Sequence, residues 1–429
     1  MRTRHTFTST NSNFKAQLLQ WSQQFEEVVW LDSNSHQQQY STYDVVLAVD
    51  AFTCMSTDSH QAFDQLQEYQ TITKDWIFGY LTYDLKNDLE QLTSEHADGL
   101  EFPELFFFQP KKLFLIKDDV VEMQYLNMVD DEFESDLKDI AALEFCEKEE
   151  PSKKVSIQMR LTQEQYVDKV NTMLAHIHRG DIYEANFCHE FYAKQAQLDP
   201  LETYTKLNSI SKAPFAAFFK NHQHYVLSAS PERYLKKIDQ KIISQPIKGT
   251  ATRHKDQLVD DVLKTELQKN PKERSENIMI VDLVRNDLSR TAKKGSVSVE
   301  ELCGLYTFEQ VHQLISTITS KVDANIPPVQ ILKTTFPMGS MTGAPKISAM
   351  EIIEDLEETK RGLYSGSIGY FTPSGDFDFN VIIRSILYNV DKKYVSYSVG
   401  SAITSKSDPL KEYEECLIKA RAMKEVLEN

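Results

Sequence analysis

Several things are scarce or missing in this chain of 429 residues. No apolar run approaches the roughly 18 residues of a membrane-spanning helix; Glu104–Phe108 and Phe215–Phe219 show how soon such runs stop. The N-terminus, MRTRHTFTSTNSNFKAQ, has basic residues but no apolar stretch behind them, so no secretory signal is expected. The five cysteines (Cys54, Cys146, Cys188, Cys303 and Cys416) are odd in number, scattered, and never paired as CxxC. That pattern excludes a zinc ribbon and a disulfide scaffold and suits a reducing cytoplasm. Positive charge is in deficit: 47 Lys and Arg against 64 Asp and Glu leave a formal charge of −17. Such acidity argues against nucleic acid or an anionic membrane as partner, and an anionic substrate must be met by local cations, a metal or helix ends. GxSxG, HExxH and the Rossmann glycine fingerprint are absent. MGSMTGAPK (338–346) fails as a P-loop because Ala344 and Pro345 interrupt the required order before Lys346.

The remaining composition, 41% apolar and 26% charged, is that of an ordinary globular protein long enough for two or three domains. A charged segment, EKEEPSKK (147–154), breaks the chain and places a linker near 145–156, between a domain over 1–150 and a second over 155–429. In the first, strand-like runs at Val45–Val49, Trp76–Tyr83 and Lys112–Ile116 mix with polar helices, and 129–140 reads as an acidic surface helix. In the second, Thr162–His178 has apolar residues at helical spacing. Strand candidates follow at Ile182–Phe191, Phe215–Lys220, His224–Ala229 and Lys241–Ile247, with helices near 257–268 and 273–290. Late strands are expected at Gly366–Phe371, Asp378–Asn389 and Tyr394–Val399, and a final helix from Asp408. Meandering strands with helices in blocks predict an α+β fold.

Carboxylates recur on two of these helices. PKERSENIMIVDLVRNDL opens on Pro271 and is apolar nearly all round, which predicts a buried helix whose Glu273 and Glu276 need partners. The last helix, capped by Asp408 with Pro409 first, repeats the spacing with Glu412 and Glu415. Two Glu-x-x-Glu helices without His or Cys offer oxygen donors only, a set that favours Mg²⁺ over zinc. The alternative is that Glu415 pairs with Lys419 and the others are solvated, the usual fate of this pattern.

KIISQPIKGTATR (241–253) reads as a strand broken at Pro246, with Lys248, Gly249 and Thr250 in a tight segment. A lysine partly desolvated there would be a neutral amine near pH 7, hence a nucleophile. SASPERYL (228–235) sets Glu232 behind a Ser-Pro turn, where a raised pKa would suit it to protonate a leaving hydroxyl. Singly, such residues are more often surface charges. Gly339, Gly343, Gly362, Gly366 and Gly369 fall in one stretch of a chain with 13 glycines, which points to specialised backbone around Ser340, Thr342, Arg361 and Tyr364. Arg384, the lone cation in FNVIIRSILY, is either solvent-facing or a buried carboxylate clamp. His312 is either a ligand contact or a satisfied structural histidine.

Taken in order, GDIYEANF (180–187), SASPERYL, PIKGTATR (246–253), KERSENIMIVDLVRNDLSR (272–290), MGSMTGAPKISAM (338–350), RGLYSGSIGY (361–370) and EYEECLIKARAM (412–423) resemble the chorismate-utilising enzyme family. The resemblance runs over roughly 160–427, with a weaker likeness at LDSN (31–34) and FGYLTYDL (78–85). Within the family, Lys248 in PIKGT is similar to the enzymes that form aminodeoxychorismate; anthranilate synthase component I carries PIAGT.

The resemblance implies two antiparallel β-sheets packed as a sandwich with helices outside. It implies chorismate bound through its ring carboxylate to Mg²⁺, held by Glu276 and Glu415 with Glu273 and Glu412 alongside or through water. Lys248 would attack C2 while Glu232 protonates the departing 4-hydroxyl; ammonia would then attack C4 and expel the lysine from C2. The product would be 4-amino-4-deoxychorismate, a precursor of para-aminobenzoate and folate. Gly249, Thr250, His312, Ser340, Tyr364, Arg384, Gly400 and Lys419 would line the substrate. Ammonia would come from a glutamine amidotransferase partner or from solution, and the N-terminal part of relatives can hold tryptophan. Two departures stand out: Glu184 replaces the Gln of most such synthases and the Lys of isochorismate enzymes, and Ser401 and Ala402 stand where relatives have more glycine. The rival readings are anthranilate synthase component I and a non-catalytic homologue that binds chorismate or tryptophan.

Overall fold

The computed structural model describes residues 1–36, 39–144, 154–309 and 311–428, so residues 145–153 of the expected linker lie outside the described residues. Twenty strands among them join into one connected antiparallel ladder. Two long paired strands, Val45–Thr57 and Leu105–Lys117, divide that ladder into two layers. Lys112–Lys117 pairs with Val120–Leu126, whereas the Leu105–Phe108 end of the same strand pairs with Ile77–Leu81. One layer continues from Val45–Thr57 through Glu27–Asp32, Phe215–Asn221, His224–Ser230, Ser385–Asn389 and Tyr394–Thr404 to Glu184–Ala193. The other continues from Ile77–Leu81 through Ser367–Phe371, Phe377–Asn380, Arg233–Ile238 and Lys241–Gln245 to Val311–Lys321. This is the expected sandwich.

Period-two alternation accounts for it. Val29, Phe219, Val226 and Leu387 enter the core between the layers, where Phe219 meets Tyr80 edge-on with ring centroids 5.2 Å apart. Their neighbours Trp30, Phe218, Leu227 and Ile386 face a second core, roofed by the helices Gln163–Arg179, Pro200–Ser211 and Pro409–Glu428. Each such fully buried side chain contributes about 1.5–3 kcal/mol. Strands of the 1–150 segment pair with strands of 155–429 in both layers, so the two expected domains share both cores.

Three expectations need correction. The helix Pro271–Ser289, capped by Asn270 on the amides of Lys272 and Glu273, buries Ile280, Val281, Val284 and Leu288, but Ile278 is exposed because sheet and loops cover only one side. The strand expected over Asp378–Asn389 is two strands, separated where Arg384 takes φ +54°. The acidic helix, Phe133–Ala142, is not wholly superficial: buried Asp136 accepts from Lys112 Nζ at 2.5 Å and from the Tyr125 hydroxyl at 2.8 Å. Among the described residues no helix is long and apolar enough to cross a membrane.

Candidate active site

A cavity of about 920 Å³ opens between the helices Pro271–Ser289 and Pro409–Glu428 and the strands Ile247–Thr252 and Tyr394–Thr404. Both helices enter it at their N-termini, where caps fix them. Asn270 Oδ1 accepts from the amides of Lys272 and Glu273, and Asp408 Oδ1 from those of Leu410 and Lys411. The first two turns therefore present Glu273 and Glu276 from one side and Glu412 and Glu415 from the other, and all four line the cavity.

Lys248 and Glu232 line it too. Gly249 has φ +92°, and a Cβ there would sit 3.2 Å from both Glu273 Oε2 and Leu314 Cδ1, so glycine is what lets the strand pass the helix. Burial lowers the Lys248 pKa, but the charges of Glu184, Glu276, Glu415 and Glu232 outweigh it and leave it above the ordinary lysine value. This corrects the expectation of a neutral amine: among these carboxylates, with nothing bound, the lysine is an ammonium. Burial pushes the Glu232 carboxyl up to about 7, against the pull of Ser340, Lys248 and the Ile247 amide. It can therefore carry a proton near neutral pH.

Seven of the eight residues expected to line the substrate line this cavity: Gly249, Thr250, Ser340, Tyr364, Arg384, Gly400 and Lys419. Arg384 forms no ion pair among the described residues; its Nη1 reaches only the Lys419 carbonyl, at 3.4 Å. Gly400 lies so close to the neighbouring strand that a Cβ would meet Cys188 Sγ at 2.5 Å. Its carbonyl accepts from Lys419 Nζ at 2.8 Å, and the same nitrogen pairs with Glu415 at 2.6 Å. Ser401, which departs from the family pattern, donates to buried Glu412.

His312 is the eighth, and the structure places it elsewhere. It is fully buried, with Nε2 2.9 Å from Asp260 Oδ1 and Nδ1 3.0 Å from the Thr307 hydroxyl. The reason is strand phase: Val311 and Gln313 line the cavity, and the residue between them points the other way. Asn186 and Gln313 are lining residues that the sequence reading passed over. Each lies one strand period, or one residue, from a position it had singled out.

The sequence predicts a Mg²⁺ site at these carboxylates. Where they now stand, no three acidic, histidine or cysteine side chains among the described residues converge enough to hold a metal ion. Their chemistry nonetheless fits a hard cation. The donors are oxygens, and Glu276 Oε1 is buried without a hydrogen-bond partner. Burial pushes the Glu276 carboxyl up to about 7, even though Lys248 and Lys272 draw it down. A positive charge is what this arrangement lacks.

A family model described as chorismate binding enzyme matches residues 21–425. The chain belongs to that family. It is 36% identical over 358 residues to an anthranilate synthase component I-like protein of Synechocystis sp., a match covering 82% of this chain and 72% of the relative. It is 38% identical over 271 residues to aminodeoxychorismate synthase component 1 of Escherichia coli, covering 63% of this chain and 59% of that one. The match thus spans less than two thirds of the Escherichia coli protein. Among solved structures, anthranilate synthase component I from Streptococcus pneumoniae superposes with a TM-score of 0.79 at 22% identity, over 91% of this chain and 95% of that one. At that identity the likeness concerns the fold.

Proposed function

We propose that this chain is the chorismate-converting component of an aminodeoxychorismate synthase. The observation that carries the reading is Lys248, a half-buried amine on the cavity wall with a proton-bearing carboxyl, Glu232, in the same cavity. An anthranilate-forming enzyme has no use for an amine at this point, which favours the aminodeoxychorismate reading for this chain.

Chorismate is a dianion. Arg384 has no carboxylate partner among the described residues and lines the cavity, so it is free to clamp one carboxylate of the substrate. Tyr364 and the backbone at Gly400, which line the cavity, would bound the ring. Glu276 and Glu415, with Glu273 and Glu412 beside them, would hold Mg²⁺, which would supply Lewis-acid attraction for the ring carboxylate and offset the charge of the glutamates. Lys248 gives its extra proton to solvent and forms a bond to C2; the ring double bonds shift, and the C4–O bond breaks. Glu232 gives its proton to that oxygen, which leaves as water. Ammonia then bonds to C4, and the electrons of the C2–N bond return to lysine. The enolpyruvyl group is retained throughout.

The nitrogen would be delivered by a glutamine amidotransferase subunit in the cytoplasm, feeding para-aminobenzoate and folate synthesis. The test is to incubate the protein with chorismate, Mg²⁺ and ammonium chloride and analyse the products by mass spectrometry. The reading expects an amino product that still carries the pyruvate unit, and its loss in Lys248→Ala. Release of pyruvate with fluorescent anthranilate would reassign the chain to the rival activity.

A further inference from the structure

We propose that Glu184 is the binding site for ammonium, the nitrogen co-substrate, beside Lys248. The proposal rests on the reading of function given above and names how its second reactant is held.

Glu184 opens the strand Glu184–Ala193, between Ala344 on one side and Thr404 on the other. It shares a strand face with Asn186, two residues on, which lines the cavity. Its side chain is 2% exposed. Oε1 lies 3.7 Å from Lys248 Nζ, an ion-pair distance too long for a good hydrogen bond, and Oε2 is buried with no hydrogen-bond partner. Lys248 is the only cation within 4 Å of this carboxylate among the described residues. Burial pushes the carboxyl up, and Lys248 draws it only part of the way back. Its one nearby cation among the described residues is Lys248, and once that amine has given up its extra proton and bonded to the ring, the enclosed carboxylate is short of both positive charge and N–H donors.

The neighbouring lysines are committed elsewhere: Lys419 to Glu415 and the Gly400 carbonyl, Lys272 to Glu412 and Glu276. Chorismate, an anion without N–H groups, is repelled by this oxygen. Ammonium offers four N–H donors and the missing charge, at the side of the residue it must displace. The step balances within the site. One N–H bond of ammonium breaks and its proton passes to Glu184; the freed lone pair forms the C4–N bond. The C2–N bond breaks with its electrons on the lysine nitrogen, which takes the proton back from Glu184.

The test uses ammonium chloride as the nitrogen source with saturating chorismate and Mg²⁺. Glu184→Gln keeps the shape and removes the charge, so the apparent KM for ammonium should rise about tenfold or more, with the KM for chorismate and the Mg²⁺ requirement within twofold of wild type. Glu184→Asp keeps the charge and should fall between the two. In protein quenched without ammonium, the Lys248 adduct should still form in Glu184→Gln, no more slowly than in wild type, because removing this charge eases deprotonation of the lysine. An unchanged KM for ammonium, a changed Mg²⁺ requirement, or loss of the adduct in Glu184→Gln would each overturn the assignment. A wild type that forms neither adduct nor amino product would instead sink the functional reading itself.

Discussion

Buried charge is handled in two opposite ways in this molecule. Around Arg361 every charge is met. Its guanidinium binds Glu357 through two hydrogen bonds of 2.9 and 2.7 Å, and donates to the carbonyls of Met341 and Asn186 at 2.6 and 2.7 Å. Glu357 also accepts from the Cys188 amide at 2.9 Å. Asp378, with Arg233 and Lys236, and Asp287, with Lys346, follow the same rule. At the cavity and just behind Lys248 the rule fails: among the described residues, Glu276 Oε1 and Glu184 Oε2 have no hydrogen-bond partner, and Arg384 has no carboxylate. The difference separates charges that hold the fold from charges that await a ligand. The Arg361 cluster fixes the Asn186 and Met341 segments, which are themselves walls of the cavity.

This contrast can be broken by substitution, and the largest effect is expected at the acid. Glu232→Gln should lower kcat by about 10²–10⁴-fold with little change in stability, in steady-state assays of the amino product. Only the protonated carboxyl can serve the leaving hydroxyl, and its pKa is raised to about 7. The wild-type rate should therefore fall as pH rises through about 7, and the residual rate of Glu232→Gln should lack that limb.

Among the matched charges, Arg361→Met strands buried Glu357 and should cost about 3–5 kcal/mol in denaturant unfolding. The double variant with Glu357→Leu should regain part of that loss. The unmatched charges should respond with the opposite sign. Glu276 has a folded pKa raised from 4.5 to about 7, so ionising it opposes folding, and stability falls as pH rises between those values. Without divalent cation, Glu276→Gln should thus be more stable than wild type at pH 7 by roughly 1–3 kcal/mol, while losing activity. The smallest effect belongs to the surface: Glu202→Gln, which breaks a pair with Lys206 on a helix, should move stability by less than about 0.5 kcal/mol.

Much of the candidate site was legible because its signals are local. Pro and an amide or carboxylate cap start both acidic helices, and one helical turn sets each pair of glutamates on one face. A lysine beside glycine marks the strand that passes them. What sequence could not supply was phase and long-range pairing. His312 and Gln313 are equally plausible in QVHQLIST until the strand is paired with Ile247–Thr252, which turns His312 toward Asp260. The protonation of Lys248 was misjudged for a related reason: burial pulls its pKa down, but four carboxylates from four separate segments pull it up, and their convergence exists only in the folded chain. The shared cores of the two expected domains are likewise a matter of strand pairing far apart in sequence.

The account turns on whether the Lys248 nitrogen becomes bonded to the substrate ring. The direct measurement is to mix the protein with chorismate and Mg²⁺ in the absence of ammonium, quench in acid, and determine intact and peptide masses. The account predicts a mass gain of chorismate less one water, on the peptide containing Lys248 and absent from Lys248→Ala. Unmodified Lys248 throughout, together with full turnover to the amino product by Lys248→Ala once ammonium is added, would contradict it.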